Sequence, residues 1–184
     1  DRLTVTGSVP LVWTRPSQGV LQPQRGMQDI TLGGKFSFFE RSNRAGRLRA
    51  IVAVSGSLPL SSYTPDFAPL SIGNQSQRIS PRLTLNYRSS TGIYLTGTTS
   101  YTRRADVTLD RPYFFTDDQI TFSDQVPMPN VSDYEVSVGY LKHDLNASVG
   151  YSQQTTQGGG DIRRQDMPFV SNRVNFSDFL TFLF

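Results

Sequence analysis

The sequence predicts an all-β chain, an antiparallel up-and-down β-barrel that crosses a membrane with about eight strands in its 184 residues. Three observations carry this. Apolar and hydroxylated side chains alternate along most of the chain, the connections between alternating segments are long and short in turn, and aromatic residues stand near the ends of the apolar rows. Neighbouring side chains of a strand point to opposite faces, so each alternating segment has one apolar and one polar face. A soluble sandwich turns the apolar face inward, whereas a membrane barrel turns it toward lipid.

The first segment, DRLTVTGSVPLVWT, sets Leu3, Val5, Gly7, Val9, Leu11 and Trp13 against Thr4, Thr6, Ser8, Pro10 and Thr14, with Val12 the exception. In the second, residues 27–38, Ile30, Leu32, Gly34, Phe36 and Phe38 alternate with Asp29, Thr31, Gly33, Lys35 and Ser37. The third, 47–60, opposes Leu48, Ala50, Val52, Val54, Gly56, Leu58 and Leu60 to a row that contains Arg47, Arg49, Ser55 and Ser57. Leu83, Leu85 and Tyr87 face away from Arg82, Thr84, Asn86 and Arg88, and Ile93, Leu95, Gly97 and Tyr101 face away from Thr96, Thr98, Ser100 and Thr102. Tyr134, Val136, Val138 and Tyr140 oppose Glu135, Ser137 and Gly139, and Leu145, Ala147, Val149 and Tyr151 oppose Asn146, Ser148, Gly150 and Ser152. In the last segment, 171–184, Val174, Phe176, Leu180, Phe182 and Phe184 form a row that Asp178 interrupts.

Between these segments lie a long loop (15–26), a short turn (39–46), a long loop (61–80), a tight turn (89–91), a very long loop (103–132), a tight turn (142–144) and a long loop (153–170). Every long connection therefore falls at one end. Outer-membrane barrels have this asymmetry, with short periplasmic turns and long extracellular loops. With the first strand running outward, Trp13, Tyr101, Tyr134 and Tyr151 form an upper girdle on the apolar face. Phe36, Phe38, Tyr87, Tyr140, Phe182 and Phe184 form a lower one. Aliphatic residues fill the band between, as a bilayer selects.

Composition agrees with a barrel and narrows the alternatives. No apolar run reaches the roughly 20 residues of a spanning helix. There are no cysteines, hence no disulfide framework and no thiolate metal site or nucleophile. The net charge of +3 arises from basic residues interspersed with acidic ones, not from a basic run, so nucleic acid is not an expected partner.

The run GMQDITLGGKFSFFE (26–40), preceded by VTGSVPLVW (5–13) and followed by a strand ending SGSLPL (55–60), resembles the outer-membrane proteins associated with meta-pathway phenol degradation. In that family a strand with an apolar-Pro-apolar step leads to a Gly-Asp pair and an LTLGxKYxF-like strand. Here Gln28 stands between Gly26 and Asp29, and Phe36 replaces the usual Tyr. The resemblance covers about residues 5–60. It implies a barrel of the bacterial outer membrane with a transport role, like channels for hydrophobic compounds, and no catalytic residues; no cofactor is expected. Members carry further strands before this point, so the expectation is one barrel domain over 1–184, lacking N-terminal strands, with eight to twelve strands in the complete protein.

No enzymatic constellation is present. The one histidine, His143, sits in a Lys-His-Asp turn where hairpin chemistry explains it. Asp106, Asp110, Asp117, Asp118 and Asp124 share a loop without the spacing of a calcium site. The GGGD run at 158–161 follows no strand-to-helix pattern and reads as a flexible loop rather than a phosphate cradle. The candidate functional residues are instead the lumen-facing charges: Lys35, Arg47, Arg49, Arg82 and Arg88, with Asp29 and Glu135 toward the outer end. They form either a salt-bridged plug in a narrow barrel or a basic constriction in a wider one. Tyr113, Phe114 and Phe115 either pack within their own long loop or offer a surface to other proteins. The expected function is passage or binding of small, aromatic or hydrophobic solutes; the alternative is a structural scaffold that docks other surface proteins. Outer-membrane lipids and the barrel assembly machinery are the expected partners, the latter through the terminal FLTFLF.

Overall fold

A computed structural model describes residues 2–15, 23–63, 65, 71–73, 75–116, 119–142, 145–162 and 175–183. The strands are β1 (Leu3–Ser8), β2 (Leu11–Thr14), β3 (Gln24–Met27), β4 (Asp29–Asn43), β5 (Gly46–Pro59), β6 (Arg78–Ser89) and β7 (Ile93–Arg104), then β8 (Val107–Thr108), β9 (Phe114–Thr116), β10 (Gln119–Thr121), β11 (Gln125–Val126), β12 (Asn130–Lys142), β13 (Leu145–Gln157) and β14 (Phe176–Leu183). Eight of them make one antiparallel sheet in the order β1-β4-β5-β6-β7-β12-β13-β14. The fold is all-β, and each long strand lies beside the next long strand in sequence. β1 and β14 are the outer strands, and among the described residues no pairing joins them.

β2 and β3 prolong the β1–β4 hairpin beyond a break at Pro10. Proline has no N–H to give the ladder, and its carbonyl instead accepts from the Gln28 N–H at 2.9 Å. The connections keep the expected asymmetry. β4 turns into β5 over residues 44 and 45, where the Asn43 Oδ1 accepts from the Ala45 and Gly46 N–H groups at 3.0 Å each. β6 turns into β7 over residues 90–92, where Gly92 adopts a φ of 105° that other residues avoid. The β12–β13 connection, with His143, lies outside the described residues. At the opposite end stand the connections 60–77, 105–129 and 158–175.

Burial across the sheet is the inverse of that in a soluble protein. Along β5 the apolar members Leu48, Val52, Val54 and Leu58 are exposed and Ala50 is buried, whereas on the other row Arg49, Ile51, Ala53, Ser55 and Ser57 are half-buried or buried and Arg47 is exposed. β7 repeats this, with Ile93, Leu95 and Tyr101 exposed and Thr96, Thr98, Ser100 and Thr102 shielded. A row of hydroxyls bonds across the shielded face: Ser80 to Thr102 at 2.7 Å, Thr84 to Thr98 at 3.2 Å, and the Asn86 amide donating to Thr96 at 2.6 Å. Arg88 on β6 reaches past β7 to donate to the Leu141 carbonyl on β12 at 3.2 Å, as a sheet curled toward its polar side allows.

The apolar cluster of buried side chains lies outside this sheet, in the long connections. Val107, Leu109, Phe114, Val126, Met128 and Ile162 form it. β8 pairs with β11 and β9 with β10, and Arg111 donates to the Tyr113 and Ile162 carbonyls at 3.0 Å each. The GGGD run is therefore not a free tip. Gly158 and Gly159 take positive φ, Gly160 leaves room for the Phe114 ring, and Asp161 bridges to Phe115.

Three local readings need correction. The turn placed at 39–46 is two residues long, because β4 continues to Asn43 through an irregularity between Ser37 and Phe39. That extra residue shifts the alternation, so Phe39, not Phe38, is the residue opposite Ala50. The loop placed at 153–170 begins at residue 158, since β13 runs to Gln157. In the last strand the phase is off by one. Phe176, Asp178, Leu180 and Phe182 pair with Gln154, Ser152, Gly150 and Ser148 of the polar row, while Phe179 pairs with Tyr151 of the apolar row.

Candidate functional site

The polar row of the sheet carries charged residues at three levels. At the turn end, Glu40 on β4 accepts from Arg47 and, at 3.1 Å, pairs with Arg49. These side chains are more than a third exposed, so the pairs contribute little to stability and mainly order the arginines. Glu40 falls within the 39–46 turn read from sequence, although a carboxylate beside two arginines on facing strands is what cross-strand pairing favours. Lys35 and Arg88 stand on the same row, opposite Ala53 and Arg47.

At mid-height Arg82 lies opposite Ser100. Ser100 donates to the Asp133 carboxylate at 3.1 Å. A void of about 380 Å³ here is lined by Arg82, Ser100, Asp133, Glu135, Ser152 and Gln154, with Phe176 at its edge. Charges of both signs surround this void.

At the loop end, Asp29 is buried and accepts from the Tyr63 hydroxyl at 2.6 Å and from Ser57 at 3.5 Å. Tyr63 in turn accepts from the Gln75 N–H at 2.9 Å, which ties the 60–77 connection down onto β4. Burial, and then the hydrogen bond given to Asp29, push the Tyr63 pKa above its ordinary value. The sign follows: the stabilising contribution is complete below pH about 10, where the unfolded phenol stays protonated, and is lost as pH rises through the raised value. In an ultraviolet titration the last-ionising tyrosine absorbance is expected to shrink in Tyr63→Phe. An unchanged titration curve would show that Tyr63 is not held this way.

Beside this network Arg78 and Arg104 face each other across β6 and β7. They and Gln28, Asp29, Gly73 and Ser76 line a recess of about 130 Å³. Neither arginine was singled out from sequence. Both lie at the margins of what read as long loops, and only the register shows that the two strands continue to them.

On the apolar row the upper aromatics form a chain of contacts. Tyr134 and Tyr151 lie 5.8 Å apart and Tyr151 and Phe179 5.1 Å apart, and both tyrosine hydroxyls donate to the Gln153 Oε1. Trp13 and Tyr101 are exposed near the same end, as are Phe36, Phe38, Phe39 and Tyr87 toward the other, where Tyr140 is half-buried. Phe179 joins this row although sequence reading passed over it. The side chain of Phe182 and all of Phe184 lie outside the described residues.

In the long loop, Phe114 is 5% exposed within the apolar cluster, and Tyr113 and Phe115 are half-buried against each other, ring edge to face at 6.0 Å. The self-packed arrangement is the one observed. Its exposed apolar side chains are Ile120 and Phe122, the latter 84% exposed. Among the described residues no three acidic or histidine side chains gather as a metal site would require, and Asp117 and Asp118 lie outside them.

No curated protein matches the chain. The family model described as "Putative MetA-pathway of phenol degradation" matches residues 1–169, and the chain belongs to that family.

Proposed function

We propose that the protein is an outer-membrane β-barrel that passes or binds small, aromatic or hydrophobic solutes, with no catalytic role. The observation that carries the membrane reading is the inverted sheet, whose aliphatic rows are exposed while its hydroxyl rows are shielded. An apolar surface of that extent is unstable against water and stable against lipid. The six inner strands of the sheet, 12 to 15 residues long, exceed the roughly 9–11 needed to cross a bilayer at a tilt. From Tyr134 to Tyr140, six steps along β12 span about 20 Å of strand, with Val136 and Val138 on the apolar row between the two tyrosines. In this reading β1 and β14 pair with each other, directly or through further strands, because an open edge cannot persist in hydrocarbon.

The family description supports an aromatic solute class, and the void with its mixed charges is compatible with small polar-aromatic molecules. Reconstitution into planar bilayers tests passage. Discrete conductance steps, and swelling of proteoliposomes in phenolic solutes, are expected. A folded, inserted protein that stays silent in both assays would favour a scaffold, a reading to which the exposed Ile120 and Phe122 give a surface. Orientation has its own test. A protease site inserted at Thr121–Phe122, in the exposed part of the 105–129 connection, should be cleaved on intact cells and one at Ser89–Ser90 should not; the opposite pattern inverts the polarity.

A further inference from the structure

We propose that Arg78 and Arg104, at the loop end of the polar row, form a binding site for the carboxylate of a small solute. The two residues are direct partners across β6 and β7. Like charges placed directly opposite each other destabilise a sheet, so an anion bound between them would be stabilising. Among the described residues neither guanidinium has a carboxylate at ion-pair distance. The carboxylate nearest in the recess, Asp29, is already engaged by Tyr63 and Ser57. The Ser76 hydroxyl is likewise committed, donating to the Ala105 carbonyl at 2.6 Å.

Among the described residues the lining of the recess holds two guanidinium groups without an ion-pair partner and one committed carboxylate, a positive balance that suits a small anion. A volume of about 130 Å³ fits a small organic acid. Planar, forked guanidinium groups suit the two oxygens of a carboxylate, and partial withdrawal of Arg104 from water strengthens the contact. The position is at the end where the long connections stand, ahead of the void around Arg82, so the site would select acids before they enter the interior. That role rests on the passage proposed above, whereas binding itself does not require conduction.

The test is calorimetric titration of the whole chain, folded in neutral detergent at low salt, with benzoate, acetate and inorganic phosphate as probes. Saturable binding of benzoate and acetate is expected, weakened at least about tenfold in Arg78→Gln and in Arg104→Gln, as for loss of a charge-assisted fork. Arg104→Lys keeps the charge and loses the fork, and should also bind more weakly than the parent while folding as it does. Arg103→Gln, next in sequence but on the apolar row, should leave affinity unchanged. The proposal is overturned if the parent shows no saturable carboxylate binding, if Arg103→Gln weakens it as much as Arg104→Gln, or if phosphate binds as tightly as the carboxylates. Carboxylate binding without conductance would refute passage and leave this site standing; conductance without carboxylate binding would do the reverse.

Discussion

Val136→Arg is expected to cost about 2–4 kcal/mol of stability when the protein is folded in lipid vesicles, read from the shift of its urea or guanidinium midpoint. Val136 lies on β12 between Tyr134 and Tyr140, and its side chain is 48% exposed. For a protein surrounded by water, a substitution at so exposed a position away from any packed feature stays within about 0.5 kcal/mol. The two environments therefore predict results several-fold apart for the same mutation. Ser137→Arg, on the neighbouring polar row, should behave differently, because there the new charge meets hydroxyls and carboxylates rather than acyl chains. Equal and negligible effects at both positions would mean that the aliphatic rows do not face lipid.

Phe114→Ala is expected to undo the loop cluster at a cost of about 3–5 kcal/mol, the usual range for removing a buried aromatic ring. Phe114 sits among Val107, Leu109, Val126, Met128 and Ile162, and its ring lies over Gly160. The cluster is small and separate from the apolar rows, so the loss should stay local. Limited proteolysis and amide exchange should show the 105–129 and 158–162 segments opening while the strands of the sheet remain protected. A variant whose loops stay as protected as the parent's would show that Phe114 is not the element that holds them together.

The sheet was legible wherever period-two alternation was unbroken. In β5, β6 and β7 the two rows read from sequence are the two faces observed, since one residue of slip would move every apolar side chain to the hydroxylated face. Legibility failed where the phase changed. At Ser37–Phe39 consecutive aromatic residues mask the extra residue, because Phe38 and Phe39 fit an apolar row equally well. In β14 the three apolar residues Phe176, Leu180 and Phe182 outnumber Asp178, yet pairing with β13 puts Asp178 opposite Ser152 and Phe179 opposite Tyr151. A charge carries more information about a strand's faces than a phenylalanine does, because either side of a strand tolerates an aromatic ring more readily than lipid tolerates a carboxylate.

The site was less legible than the fold because its contacts join distant parts of the chain. Asp29 was recognised as an inward charge, but Tyr63, its partner 34 positions later, lies in a connection without periodicity. The facing of Arg78 and Arg104 depends on the register of two strand ends, which composition does not reveal. The aromatic group Tyr113–Phe115 was visible, and only the folded loops show that Gly160 and Ile162 cover it.

The claim that the apolar rows face lipid is tested most directly by far-ultraviolet circular dichroism of the purified chain, recorded in detergent micelles and again in buffer without detergent. A cooperative β-sheet spectrum that requires detergent or lipid is expected. A monomer that keeps the same spectrum and the same cooperative melting in detergent-free buffer would contradict it.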